Sequence, residues 1–236
     1  MTRRRWIADE VSGNRAFLTG DHARHLAQVL RAKAGQEFDI ATGSEVRRAA
    51  VVAVLPDRVE LELGETLTEG LHTDITVAIS IFKFDRMEWA IEKCTELGVS
   101  RLIPVIAART EKHLAQAAPK RVERWCRIAK QAAEQSRGAA PPEISNPVKL
   151  NDLIAVTSDR RIVLSETEAE VTLKDALSSQ AGSVVLAFGP EGGWHQGELA
   201  KFKEANWIAA SLGPRVLRTE TAVISAVALA SALTPT

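Results

Sequence analysis

SVVLAFGPEGG, residues 183–193, followed by ASLGPRVLRTET, residues 210–221, is the part of the chain on which the fold reading turns. Val184 to Phe188 is a short apolar run that stops at Gly189-Pro190-Glu191-Gly192-Gly193. Such a run bounded by Gly and Pro reads as a buried strand ending in a loop. Glycines at 189, 192 and 193 leave the backbone free to take positive φ and to approach a ligand closely. The second half repeats the arrangement. A strand candidate starts at Trp207, Gly213-Pro214 breaks it, and Arg215 to Thr221 forms a charged loop. Two loops leaving two strands on the same side of a sheet make a crevice, the usual ligand position in an α/β protein. Neither loop is GxGxxG or GxxxxGK[ST], so neither dinucleotide nor P-loop chemistry is indicated. A pair of ordinary strand-to-helix turns is the plain alternative.

Working outward, strands and helices alternate from Asp74 onward, the mark of a parallel sheet. Strands are expected at Ile75–Ile81, Arg101–Ile106, Arg161–Leu164, Val184–Phe188 and Trp207–Ala210. Asp85 is the expected cap of a helix through Leu97, with Met87, Ala90, Ile91, Cys94 and Leu97 on one face. Cys94 then reads as a core residue. Pro119 to Arg137 reads as a long helix with Val122, Trp125, Ile128, Ala129 and Ala132 as its buried stripe. Lys120, Arg121, Arg124, Arg127 and Lys130 make its basic face, either solvated or turned to RNA. Shorter helices are expected at Leu150–Ala155, Thr172–Ser178 and Gln196–Ala205, and a last one from about Thr221 to Leu233, with Thr219 or Thr221 as its cap. Glu166, Glu168 and Glu170 form an acidic loop, and His195 reads as a helix-start surface residue.

Residues 1–70 read differently. Strands are expected at Arg5–Ala8, Ala16–Leu18, Glu37–Ile40, Arg47–Leu55 and Arg58–Leu63. Val51 to Leu55 is apolar on both faces and is expected to be central. A helix is expected from Asp21 to Ala32, with His25, Leu26, Val29 and Leu30 sharing a face. His22 and His25 read as surface or packing residues. The polar, turn-rich segment Glu65 to Thr73 places a domain boundary, giving domains 1–70 and 71–236.

Composition is that of an ordinary globular chain, with 45% hydrophobic and 25% charged residues and a formal net charge of zero. The charge is uneven. Residues 71–140 hold 12 Lys and Arg against 8 Asp and Glu, which makes this the segment best suited to face a polyanion. Arg3-Arg4-Arg5 adds a basic patch at the N-terminus. Two cysteines, Cys94 and Cys126, are too few for a disulfide framework and lack zinc-ligand spacing. No metal site is expected. No apolar segment follows the arginines as a signal peptide would require, and Ala222–Leu233 is too short to span a bilayer. A cytoplasmic protein is expected.

FGPEGG and SLGPRVLRTETA, together with KFDRMEWAIEKCTELGV (83–99), RLIPVIAARTEKH (101–113) and AAEQSRGAAPPEI (132–144), resemble the RsmE-type ribosomal RNA uridine-N3 methyltransferases of the SPOUT class. The resemblance implies a C-terminal parallel-sheet domain with a trefoil knot and a small N-terminal PUA-like β-barrel that binds structured RNA. It implies S-adenosylmethionine as methyl donor, N3 of a uridine in small-subunit 16S ribosomal RNA as acceptor, an assembled or assembling particle as substrate, and a homodimer. Its cofactor slot corresponds to Leu186, Gly189, Pro190, Gly192, Gly193, Ser211, Leu212, Gly213, Arg215, Val216, Leu217 and Thr219. Trp194 is expected to pack beside it. Arg109 and Arg218 are the candidates for stabilising a developing uracil anion, and Glu191 and Glu220 for accepting the proton or supporting the loop. RNA contacts are expected from Arg3, Arg4, Arg5, Lys83, Arg86 and Arg137. At Arg137-Gly138 the chain departs from the family, where a Gly-Arg order is more typical. Two alternatives stand beside this reading: a SPOUT enzyme with another target, such as a tRNA ribose hydroxyl or another base, and a non-catalytic RNA-binding protein.

Overall fold

The computed structural model describes residues 5–43, 45–67, 74–136, 140–177 and 182–233. Arg3, Arg4 and Arg137 lie outside the described residues. The chain forms two compact units: Met1–Gly70 with Ala133–Pro141, and Leu71–Ala132 with Pro142–Thr236.

The first unit contains β1 (Arg5–Ile7), β2 (Glu10–Ser12), β3 (Arg15–Thr19), α1 (Gly20–Arg24), β4 (Glu37–Ala41), β5 (Val46–Val54) and β6 (Arg58–Leu67). Its six-stranded sheet has the order β1-β4-β5-β6-β3-β2, with β1 parallel to β4 and the remaining pairs antiparallel. The two ends of that order are one piece of chain. Its first half pairs with β4; then the Asp9 amide donates to Phe17 O at 3.0 Å and its second half pairs with β3. The sheet therefore curls back on itself, leaving little free edge. Ala16, Leu18, Phe38, Ile40, Val51, Val59 and Leu61 fill its core.

Two local expectations fail here. β5 is central in the sheet, but only one of its faces is buried: Val51 is 2% exposed and Val52 40%. The helix expected over 21–32 ends its α-helical part at Arg24 and continues as a π-helical stretch, His25–Val29. The wider π turn changes which side chains point inward, so Leu26 is buried while Val29 is exposed.

The last turn of the long helix Val122–Ser136 belongs to this first unit, where Ala133 packs with Ile7, Ala41 and Val46. His22 ties the unit together. Its Nδ1 lies 3.0 Å from Asp9 Oδ2 and its Nε2 2.9 Å from Glu134 Oε1. The Trp6 ring meets the His22 imidazole at 5.7 Å and that of His25 at 5.5 Å. The hydrogen bond to Glu134 raises the imidazole pKa above its ordinary value; burial opposes the rise, and the charges of Glu134 and Asp9 add to it. A raised folded pKa stabilises the fold fully below the unfolded pKa of about 6.5 and loses that stabilisation as pH climbs through the folded value. His22→Gln is therefore expected to lower the thermal midpoint more at pH 6 than at pH 8.5; an equal loss at both would show that the imidazolium contributes nothing.

The second unit contains β7 (Asp74–Ser80), α2 (Phe84–Glu96), β8 (Arg101–Ile106), α3 (Lys112–Ala117), α4 (Val122–Ser136, the long helix), β9 (Glu143–Ile144), β10 (Val148–Lys149) and α5 (Leu150–Ile154). It continues with β11 (Arg160–Leu164), α6 (Leu173–Ala176), β12 (Ser183–Phe188), α7 (Gln196–Glu204), β13 (Ile208–Ala210) and α8 (Thr219–Leu233). The sheet is parallel throughout, in the order β10-β8-β7-β12-β11-β13, with β9 also on β8. Both faces are covered, as all-parallel sheets require. Ile75, Val77, Ile79 and Leu186 meet Met87, Ile91 and Cys94 of α2, Trp125 of α4 and Val223 and Val227 of α8. Ala78, Val163, Val185 and Ala187 meet Leu153 of α5, Phe202 of α7 and Trp207. Burial pushes the Cys94 thiol up to about 12, which removes it as a nucleophile.

Helix starts shift from the expected residues. α2 begins at Phe84 with Lys83 in the cap position, so Asp85 stabilises the helix from inside its first turn rather than as its cap. α4 begins at Val122, after α3 and a 3₁₀ turn over Ala118–Arg121 that carries Pro119. The basic face of that region is largely paired. Arg124 holds Glu88 with two hydrogen bonds of 2.7 and 2.8 Å, Arg127 meets Glu123 at 3.3 Å, and Arg121 lies over the Phe84 ring.

Candidate active site

Three parallel neighbours, β12, β11 and β13, end on the same side of the sheet. Each releases a loop there: Gly189–His195, Ser165–Thr172 and Ser211–Arg218. Between them lies a cavity of about 500 Å³. Its walls include Leu164, Ser165, Glu166, Glu168, Ala169 and Thr172 from β11 and its loop. Phe188, Gly189, Pro190, Glu191 and Gly193 come from β12 and its loop, and Ser211, Leu212, Gly213, Pro214, Arg215, Val216, Leu217, Thr219 and Ala222 from the chain after β13.

The loops are fastened to one another through the backbone. The Ser165 amide donates to Ala210 O at 3.0 Å, the Ser211 amide to Val171 O at 2.9 Å, and the Leu173 amide to Ser211 O at 2.8 Å. Trp194 is buried, and its indole N–H donates to Leu164 O at 3.1 Å, joining the glycine-rich loop to the end of β11. His195 caps α7, accepting from the Gly197 amide at 3.1 Å, as its surface reading implied. The backbone amides of Glu170 and Val171 donate to Glu168 and hold its carboxyl below the usual range.

The glycine-rich turn is compact because Gly189 and Gly193 have no side chain. The Gly193 amide donates to Pro190 O at 2.8 Å, and Gly193 takes φ of +68°, a conformation that favours glycine. At Gly189 a Cβ would fall 3.1 Å from the Trp194 backbone nitrogen and 3.2 Å from the Gly193 carbonyl carbon.

Of the residues expected in the cofactor slot, Gly189, Pro190, Gly193, Ser211, Leu212, Gly213, Arg215, Val216, Leu217 and Thr219 line the cavity. Leu186 does not: it sits mid-strand in β12 with its side chain fully buried in the core. Gly192 is also outside the lining, where its carbonyl accepts from Arg109 Nη1. Arg109 itself lies against the outside of the glycine-rich turn, carried there by a loop whose Ala108 amide donates to buried Glu198 at 2.8 Å. Thr219 is the first residue of α8 rather than its cap, and Glu220 lies in the first turn, where a negative charge suits the helix dipole.

Arg86, expected to touch RNA, is engaged with carboxylates instead. It donates to Glu191 Oε1 at 2.8 Å, and its Nε lies 3.8 Å from Glu220 Oε1. Glu220 is buried, and no described residue donates to its Oε2. Glu191, in the cavity wall, is thus joined through Arg86 to the first turns of α2 and α8. Arg218 is exposed between two lining residues, with no ion pair to any described residue. Lys83 is exposed beside α2, and Arg5 lies on β1 in the other unit.

The whole Ser165–Thr172 wall was absent from the expected site. Its acidic loop is visible in the sequence, but the adjacency of β11 to both β12 and β13 is a long-range pairing with no local signature. Gly189→Ala is expected to lower stability by about 1–3 kcal/mol by forcing backbone apart in a packed turn. A urea midpoint equal to wild type would show that the turn opens freely.

The family model for the RNA methyltransferase domain matches residues 69–231. Ribosomal RNA small subunit methyltransferase E of Bacillus subtilis is 33% identical over 91% of this chain and 88% of its own length. The Mycobacterium tuberculosis protein of the same name is 32% identical over 94% and 88%. Among solved structures, ribosomal RNA small subunit methyltransferase E from Neisseria gonorrhoeae, bound to S-adenosyl methionine, has a TM-score of 0.84 at 29% identity, covering 99% of this chain and 98% of that one. A putative methyltransferase from Legionella pneumophila, in complex with the same cofactor, has a TM-score of 0.81 at 28% identity, covering 98% of each. The curled mixed sheet of the first unit is PUA-like, and the parallel sheet of the second is SPOUT-type. A glycine-lined cavity at the ends of three parallel strands, in a sequence this similar to those proteins, places the chain in the ribosomal RNA small subunit methyltransferase E family.

Proposed function

We propose that the protein methylates N3 of a uridine in 16S ribosomal RNA, with S-adenosylmethionine as donor. The observation that carries this reading is the three-loop cavity, where Gly189, Gly193 and Gly213 bring main chain to the wall with no side chain in front of it, as a slot for an adenine requires. The size fits: about 500 Å³ falls within the usual range of small-molecule sites. When bound there, the donor supplies an electrophilic methyl group on a sulfonium.

The chain's own residues supply alignment and charge. A uracil N3 holds its proton at neutral pH, so an acceptor and a neighbouring cation ease the reaction. Glu191 stands in the cavity wall with one oxygen held by Arg86, and no described residue donates to the other. Arg218 is the exposed cation next to the lining and the candidate for stabilising negative charge on the base oxygens. Arg109 acts on the glycine-rich turn through the Gly192 carbonyl. Arg86 fixes Glu191 rather than binding RNA. RNA phosphates are taken up by exposed Lys83 and the arginines at the N-terminus, with the first unit as a second RNA surface.

Three further features belong to the same reading. The first is the trefoil knot, supported by the path of the chain: β13 lies at the sheet edge beyond β11, yet α8 returns to pack on β7, β12 and α2. The second is a homodimer. α8 has no charged residue from Thr221 to Leu233, although Thr221, Ser225, Ala228 and Ala232 are exposed. The third is a cytoplasmic site of action on an assembled or assembling small subunit. No helix among the described residues is long and apolar enough to cross a membrane.

Mass mapping of 16S ribosomal RNA from a strain lacking the gene is expected to show one uridine without its methyl group, restored by the wild-type gene and not by Arg218→Ala. Loss of a methyl group from tRNA instead would overturn the target. In purified enzyme, Arg86→Ala is expected to lower kcat by about a hundredfold through misplacement of Glu191, with little change in KM for RNA. A raised KM with unchanged kcat would return Arg86 to the RNA surface.

A further inference from the structure

Resting on the reading of the cavity as a methyl-donor site, we infer that Glu166 is the residue that recognises the donor's positive charge. Four charged side chains line the cavity: Glu166, Glu168, Glu191 and Arg215. Two of the carboxylates are already engaged. Glu168 accepts the amides of Glu170 and Val171, at 2.8 and 3.1 Å, and Glu191 accepts from Arg86 at 2.8 Å. Glu166 has no ion pair or hydrogen bond with any described residue, although it stands where the β11 loop meets the glycine-rich turn.

Its position depends on Gly193. A Cβ at that residue would overlap the Glu166 carboxylate, so the glycine provides the room in which the carboxylate rests. A charged group held against a ligand cavity without a protein partner is available to a ligand of opposite charge. The donor carries two positive centres, the sulfonium and the α-ammonium. Methyl transfer converts the sulfonium to a neutral thioether, and the ammonium stays. Glu166 distinguishes a charged donor from a neutral adenosine thioether of similar size, which the apolar and backbone walls of the cavity cannot do.

Calorimetric titration of wild type, Glu166→Gln and Glu170→Gln with S-adenosylmethionine, S-adenosylhomocysteine and 5′-methylthioadenosine tests this. Glu170 lies in the same loop outside the cavity lining, so its variant matches the change in net charge. Glu166→Gln is expected to weaken S-adenosylmethionine about tenfold, the size of one charge-assisted contact, and to leave 5′-methylthioadenosine unchanged. A parallel loss for S-adenosylhomocysteine assigns the contact to the ammonium, and no loss assigns it to the sulfonium; either supports the inference. Equal weakening of all three ligands, the same loss in Glu170→Gln, or no loss at all overturns it. A wild-type protein that binds none of the three would instead remove the donor site itself.

Discussion

Parallel pairing of β11 with β12 on one side and β13 on the other is the constraint from which the site follows. Parallel strands all end at the same edge of a sheet, so three loops far apart in sequence are released within reach of one another. The pairing continues past the strands as hydrogen bonds from Ser165 to Ala210 and from Ser211 to Val171. These bonds use up backbone groups that would otherwise be unsatisfied near an apolar cavity, and they keep the three walls in fixed relation. Trp194 adds a side-chain link from the glycine-rich loop to Leu164. The cavity is therefore a consequence of sheet topology, and the glycines determine how closely its walls approach.

Charge is partitioned around that cavity by role. Arg86 and Arg109 are turned to groups of the protein itself, one to the carboxylates of Glu191 and Glu220 and the other to the Gly192 carbonyl. The arginines of α4 are similarly engaged, with Glu88 and Glu123. Cations available to a polyanion are then those without such partners, Lys83 and Arg218 among them. Counting basic residues along the chain overstates the polyanion surface, because a guanidinium fixed by two carboxylates adds little positive potential.

The first unit solves a different problem. A small mixed sheet exposes edges, and here the piece of chain from Arg5 to Ser12 covers both of them by pairing with β4 and then with β3. Asp9 is the residue at which it changes partner, and His22 bridges this residue to Glu134 in the last turn of α4. A long helix thus contributes its final residues to the smaller core. That explains why the unit draws on residues 133–141 as well as on the N-terminal segment.

Much of the second unit was legible from sequence. The strand over Arg101–Ile106, the buried face of Met87, Ala90, Ile91 and Cys94, and the strand leading into Gly189 all follow from apolar periodicity and glycine or proline breaks. Those signals are local, since they depend on which side chains share a face a few residues apart. Two glycine-bearing loops and their membership of one site were legible for the same reason. Strand order, the third wall at Ser165–Thr172, the split strand of the first unit and the pairing of Arg86 with Glu191 were not. Each depends on residues that meet only after the chain has folded; Arg86 and Glu191, for example, are 105 positions apart. The order of residues was enough for the elements and the glycine turns, because propensity and periodicity act within a few positions. Which carboxylates and arginines face the cavity, and which face each other, was settled by folding alone, because electrostatic pairing depends on distance in space.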